Sequence, residues 1–196
     1  GRKDADGMKF WTTEEFSAFI ACVRRPSARA GFSLLYWTGM RIGELLALCL
    51  NDFDFEKKTV SISKSFQSVE GREVITEPKT KKSKRIVPLP DKLCAVVREY
   101  VNCLYDYEPD ERLFPFTKSY FHKEMAKGCA ASGVEKIRLH DLRHSHAALL
   151  VEMGVPILLI SERLGHEDVE TTLRTYGHLY PNKHDDTAKR LDDLMG

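Results

Sequence analysis

No apolar run in the sequence approaches the roughly 18 residues needed to span a bilayer, and no charged-then-apolar leader opens it. A membrane partner is therefore not expected, and the cytoplasm is the expected compartment. An initiator methionine is also missing: the chain begins Gly1-Arg2, which reads as a domain excised from a longer protein, with Gly1 a processing scar. Cysteine is sparse and unpaired in pattern. Cys22, Cys49, Cys94, Cys103 and Cys129 form no C-x-x-C pair. Several sit among apolar residues at helical spacing, as Cys94 does beside Val97 and Val101, so they read as buried free thiols in a reducing compartment. No Asp/Glu cluster or His/Asp ligand spacing suggests a metal site; His140 and His144 are four apart but lack an evident third ligand. Internal repeats and low-complexity linkers are absent too.

Charge of one sign is also scarce, with a formal net charge of only +1. Taken alone, this argues weakly against a nucleic-acid partner, but distribution matters more than the total. Five of the seven residues from Lys79 to Arg85 are basic, namely Lys79, Lys81, Lys82, Lys84 and Arg85. Asp185, Asp186, Asp192 and Asp193 offset them at the other end of the chain. A protein polarised in this way can hold a polyanion on one face, although a solvated charge run would look the same.

What is present is a 196-residue chain of ordinary globular composition, long enough for one sizeable core or two small lobes. Thr12-x-x-Glu15 reads as a capping box, followed by Phe16, Phe19, Ile20 and Val23 at helical spacing. A second apolar segment, Ala30 to Trp37, halts at Thr38-Gly39, and a new helix from about Arg41 buries Ile42, Leu45, Leu46 and Leu48. From Phe53 to Leu89 the period changes. Val60 and Ile62 alternate with polar residues, Glu70-Gly71 is a turn signal, Val74 and Ile75 follow, and Lys81-Lys82-Ser83 precedes Ile86-Val87-Pro88. This predicts one small three-stranded antiparallel sheet made of two hairpins. Helices are then expected over Asp91 to Leu104, Lys118 to Ala131, His140 to Met153 and Ile157 to Leu164, with Gly154 and Gly165 as C-caps. Shorter segments, Val169 to Tyr176 and Asp185 to Met195, complete a mainly α fold with one small sheet insertion.

Some residues stand where a helix has no need of them. Arg41 follows a glycine turn in Thr38-Gly39-Met40-Arg41-Ile42-Gly43-Glu44. His140 and Arg143 lie three apart at a helix start in Leu139-His140-Asp141-Leu142-Arg143-His144, on one face. Leu164-Gly165-His166 shows a histidine at a helix end, and Thr175-Tyr176-Gly177-His178 a tyrosine before a glycine. G-[LM]-R-x-x-E, a basic hairpin, H-x-L-R-H, L-G-H and T-Y-x-H, in that order, resemble the motifs of the tyrosine recombinase (phage integrase) family. The resemblance runs from Phe10 to about Pro181. The ten-residue step from His166 to Tyr176 is most like integrases of phages and conjugative transposons; chromosome-dimer resolving members tend to be one residue shorter there.

The resemblance implies a catalytic domain over residues 1–181 that cuts and rejoins DNA strands through a covalent 3′-phosphotyrosine. It makes Arg41 and Arg143 the paired catalytic arginines, Lys79 the hairpin lysine, His140 and His166 the two histidines, and Tyr176 the nucleophile. Lys81, Lys82, Lys84 and Arg85 become DNA-contacting residues, and Lys81, Lys82 and Lys84 stay open as rivals for the role of Lys79. Tyr180, four residues beyond Tyr176, is the rival nucleophile. His144, His146, His178 and His184 read as packing or solvent residues. No metal and no cofactor are expected. The N-terminal helical domain that completes the family's DNA clamp, and any arm-binding domain, are missing from this stretch.

The chemistry suits the residue types. Attack on a phosphodiester concentrates charge on non-bridging oxygens, which two guanidinium forks can meet without losing a proton. A phenol with pKa near 10 needs a base or electrostatic help, and the resemblance assigns His140 as that base. A lysine of lowered pKa can protonate the leaving 5′-oxygen. The implied partners are double-stranded DNA and further copies of the chain, a homo-tetramer on paired sites and a monomer without DNA. Type IB topoisomerase activity would share this chemistry, and a silent DNA-binding accessory protein would share the fold. Residues 182–196 form a separate tail in which Ala188, Leu191, Leu194 and Met195 share one helical face; the tail either closes its own core or docks onto a neighbouring protomer.

Overall fold

The structure is a computed structural model that describes residues 8–69, 72–77, 83–180 and 184–195. Its first helix, α1 (Thr13–Ala21), opens on the expected capping box: the Glu15 amide donates to Thr12 Oγ1 (3.2 Å) and the Thr12 amide to Glu15 Oε2 (2.9 Å). Phe16 and Phe19 are thereby turned inward. Phe16 stacks on Tyr36 at 3.9 Å between ring centroids, and Phe19 meets Trp11 at 4.7 Å. Helix α2 (Pro26–Thr38) begins four residues before the expected Ala30, with Pro26 at a position where its missing N–H costs nothing. It runs through the centre of the main core, where Phe32, Leu34, Leu35 and Tyr36 are all buried.

Gly39 ends α2 in the left-handed region (φ 68°). A side chain there would be strained by that φ, and its Cβ would also stand 2.7 Å from the His146 ring and 2.8 Å from Leu164. The end of α2 thus sits close against the later helices α6 (Asp141–Glu152) and α7 (Ile157–Leu164), just before the next helix, α3 (Ile42–Ala47), begins.

The β region differs from the sequence reading in its membership. Strands β1 (Phe53–Asp54), β2 (Thr59–Ile62) and β5 (Arg85–Pro88) form a three-stranded antiparallel sheet in the order β1-β2-β5, with Val60 opposite Val87. Val74 and Ile75 are not in it. They lie in β4 (Arg72–Thr76), which among the described residues pairs with β3 (Ser65–Val69) alone, in a separate two-stranded ribbon. Burial explains the division: Val60, Ile62 and Val87 are inside, whereas Val74 and Ile75 are exposed and gain nothing from joining the sheet. The ribbon lies across the start of α3, where a Cβ on Gly43 would come within 2.6 Å of Ser65 Oγ and 3.0 Å of the Phe66 carbonyl oxygen.

Helices α4 (Asp91–Val101), α5 (Lys118–Ser132), α6, α7 and α8 (Val169–Tyr176) follow, the first ending earlier than the expected Leu104. Gly165 is a left-handed C-cap, and Gly154 takes positive φ just after the α6 cap. Ala147, Val151, Ile160, Leu164 and Tyr176 make a second, smaller buried cluster beside the main one. All five cysteines are free: Cys49, Cys94 and Cys129 are buried as expected, but Cys22 is only half-buried and Cys103 is exposed. Helix α9 (His184–Met195) carries Leu191, Leu194 and Met195 exposed to solvent. Among the described residues, no helix is long and apolar enough to cross a membrane.

Candidate active site

Arg41 occupies the N-cap of α3, where its backbone amide donates to Glu44 Oε2 (2.8 Å) and its Nη1 to Glu44 Oε1 (3.0 Å). Glu44 is therefore its ion-pair partner, one turn on, but not its alone. Arg85 reaches the same carboxylate with both terminal nitrogens, Nη1 to Oε1 at 3.1 Å and Nη2 to Oε2 at 2.8 Å. Burial works against the charge of Glu44. The hydrogen bonds and charge of Arg85, helped by Arg41, outweigh it and hold the carboxyl below the usual range. The Arg41 guanidinium stays partly open, with a side chain 41% exposed.

This geometry corrects the grouping of Arg85 with the DNA-facing residues. Its side chain is only 6% exposed, and Nε donates to the Arg163 carbonyl oxygen at 2.8 Å. A carboxylate buried at the start of α3 needs a fixed cation, and Arg85 supplies it from the first position of β5. Lys84, its neighbour, is exposed and pairs with Glu77 at 2.8 Å. Lys79, Lys81 and Lys82 lie outside the described residues.

Arg143, in the first turn of α6, is almost fully buried. Nη1 donates to the Gly39 carbonyl oxygen and Nη2 to that of Leu164, each at 2.7 Å. Both carbonyls stand at C-terminal ends, of α2 and α7, where helix dipoles favour a cation. The guanidinium fork thus joins three segments while keeping further N–H groups to offer. Burial and the charge of Arg41 push its pKa down to about 9, which still leaves it a cation at neutral pH.

Three histidines surround the arginines. The His140 ring meets that of His144 edge-on, at 4.9 Å between centroids. Burial, then the charge of Arg143, lowers the His140 pKa and keeps the ring neutral near pH 7. His166 follows the left-handed Gly165, and its Nδ1 lies 2.7 Å from Thr172 Oγ1. Burial and the charges of Arg143, Arg41 and Arg85 push it down to about 4.

Tyr176 ends α8 with its ring in the second buried cluster and its hydroxyl 2.8 Å from His144 Nδ1. Burial raises its pKa to about 12, although the charges of Arg143 and Arg41 pull the other way. The rival Tyr180 is committed elsewhere, donating its hydroxyl to the Val155 carbonyl oxygen at 2.7 Å. Arg41, the neighbouring pair His140 and Arg143, His166 and Tyr176 therefore come from four separate places in the chain into one neighbourhood.

Two contacts differ from or add to the sequence reading. His144 is a partner of the tyrosine hydroxyl, not a packing residue; its i, i+4 spacing from His140 was the available signal. Thr172 contacts His166, and nothing in the sequence distinguishes it from Thr171 or Thr175. His146 behaves as a packing residue, buried with Nε2 accepting from Arg163 Nε at 3.0 Å. Among the described residues, no group of three or more His, Cys, Asp or Glu side chains could hold a metal ion. Two guanidinium groups, two neutral imidazoles and a phenol can instead bind a phosphodiester, stabilise added charge on it and supply a nucleophile.

Comparison with known proteins shows which family the chain belongs to. The profile of the phage integrase family matches residues 9–183. The ICEBs1 integrase of Bacillus subtilis (strain 168) is 37% identical over 203 residues, covering 96% of this chain and 55% of the relative. A XerC-like tyrosine recombinase of Caldanaerobacter subterraneus subsp. tengcongensis is 30% identical over 214 residues, with the same coverages of 96% and 55%. The chain thus spans about half the length of these curated relatives. Among solved structures, the Tn1549 transposon integrase in complex with a circular intermediate DNA superposes with a TM-score of 0.79 at 19% identity, covering 100% of this chain and 68% of that one. The catalytic domain of bacteriophage HP1 integrase gives 0.64 at 24% identity, covering 95% and 96%.

Proposed function

The chain belongs to the phage integrase family, and from that premise we propose that it is the catalytic domain of a site-specific DNA recombinase that integrates and excises a mobile element. The observation that carries the reading is the convergence of Arg41, Arg143, His140 and His166 on the neighbourhood of Tyr176. In the proposed reaction the Tyr176 oxygen attacks a DNA phosphorus, its proton passing to a neutral imidazole, with His140 as the assigned base. A bond forms from Tyr176 to the 3′-phosphate and the bond to the 5′-oxygen breaks. That oxygen takes a proton from the hairpin lysine, for which Lys79 is the candidate and Lys81, Lys82 and Lys84 the alternatives. Arg41 and Arg143 stabilise the charge on the non-bridging oxygens. Because the phosphotyrosine conserves the bond energy, a 5′-hydroxyl from a second duplex reverses the step on a new partner without ATP. The names of the relatives favour strand exchange over simple relaxation.

The test is capture of a nicked duplex as a covalent adduct, followed on a denaturing gel. Millimolar EDTA is expected to leave the yield unchanged, since the charge-stabilising groups are arginines. Cleavage that disappears with EDTA and returns with a divalent metal would refute the arginine-based mechanism.

Double-stranded DNA in the cytoplasm is the proposed substrate, and paired sites are proposed to assemble four copies of a chain that is monomeric without DNA. The exposed Leu191, Leu194 and Met195 on α9 support a tail that docks onto a neighbouring protomer. Deleting residues 184–196 is expected to leave the melting temperature nearly unchanged and to impair assembly on paired sites. A large fall in monomer stability would instead make α9 part of its own core.

A further inference from the structure

We propose that Thr172 is a positioning residue for His166, its hydroxyl holding the imidazole in the tautomer that keeps Nε2–H free to donate to the phosphate. The proposal rests on the recombinase reading for the identity of the acceptor, but the tautomer itself is a property of the free protein. Thr172 is fully buried in α8, and its Oγ1 lies 2.7 Å from His166 Nδ1. Among the described residues, that hydroxyl makes no other hydrogen bond. Thr175, one turn away from Thr171, donates back to the Thr171 carbonyl oxygen at 2.7 Å, whereas Thr172 makes no such bond within its helix.

A neutral imidazole has one N–H and one lone pair, so two arrangements are open. If Nδ1 carried the proton, it would donate to Oγ1 and strand the hydroxyl hydrogen of Thr172 in the interior without an acceptor. A buried donor left unsatisfied in this way is costly. If Nδ1 accepts, the hydroxyl hydrogen is satisfied and the ring proton resides on Nε2. The second arrangement leaves no polar atom of the pair wanting, and it equips a neutral histidine to donate. Thr172 and Tyr176 are also one helical turn apart on α8, each with its hydroxyl against a histidine, His166 and His144 respectively. The helix that carries the nucleophile therefore also carries the group that orients the second histidine.

The variants Thr172→Val, isosteric but without the hydroxyl, and Thr172→Ser, which keeps it, separate positioning from packing. Long-range proton–nitrogen NMR of the histidine rings in the DNA-free chain, with His166 assigned by its loss in His166→Gln, reads the tautomer directly. The wild type and Thr172→Ser are expected to carry the proton on Nε2, and Thr172→Val to show loss of that preference. Single-turnover cleavage of the nicked duplex should fall about ten- to a hundredfold in Thr172→Val, by analogy with the range for partners that orient a metal-ligating histidine. It should recover in Thr172→Ser, with DNA affinity unchanged in both. A wild-type His166 protonated on Nδ1 would overturn the proposal, as would a Thr172→Val chain that keeps the Nε2–H tautomer or cleaves at the wild-type rate. If the wild type captured no DNA at all, the recombinase reading would fail, while the NMR result would still decide the tautomer.

Discussion

Replacing Tyr176 by phenylalanine is expected to abolish covalent DNA capture and leave DNA binding nearly intact. The ring would remain among Ala147, Val151, Ile160 and Leu164, so the apolar packing is kept. What is lost is the oxygen proposed as the nucleophile, together with one hydrogen bond to His144, worth about 0.5–1.5 kcal/mol of stability. The Tyr180→Phe variant should still form adducts, because the Tyr180 hydroxyl is spent on the Val155 carbonyl. A nicked substrate run on a denaturing gel compares the two. Adducts that persist in Tyr176→Phe and vanish in Tyr180→Phe would reverse the assignment of the nucleophile.

A second large effect is expected at Arg143. Its two terminal nitrogens bridge the carbonyl oxygens of Gly39 and Leu164 from inside the protein. In Arg143→Lys the charge survives, but a single ammonium cannot span two carbonyls and still present a planar fork to a phosphate. One buried carbonyl is left unpaired at a cost of about 1–3 kcal/mol, which should appear as a lower melting temperature. The catalytic loss should be larger: removing one such donor typically costs about a hundred- to a thousandfold in rate. Affinity for DNA should change little, since binding is spread over many phosphate contacts. Single-turnover cleavage with saturating enzyme separates the two effects. A folded Arg143→Lys chain that cleaves within a few-fold of wild type would remove this guanidinium from the centre of the mechanism.

Local pattern made much of this architecture readable in advance. The capping box at Thr12, the positions of Phe16 and Phe19, and the spans of α7 and α8 follow from side-chain spacing and cap chemistry that act within a few residues. The same holds for the candidate residues. Arg41 after a glycine turn, the His140/Arg143 spacing and the Leu164-Gly165-His166 step are visible because each motif is short and contiguous. Strand partnership was not visible. Val74 and Ile75 have strand propensity wherever they are placed, and only the lack of a core beneath them sends β4 into the ribbon with β3 and away from β2.

Neighbours along the chain settle which chemical groups this protein has and roughly which helix ends display them. How those groups are used depends on contacts between segments far apart in the chain. Arg85 looks like one more cation of a basic run, yet it is buried because Glu44, 41 residues away in sequence, needs its charge in the interior. His144 looks like packing until α8 brings the Tyr176 hydroxyl to its Nδ1, and Thr172 is one threonine among several until the same helix sets it against His166. Hydrogen bonds and ion pairs hold only over a few ångströms, so their partners are chosen by which surfaces the fold brings together, and spacing along the chain carries no record of that choice.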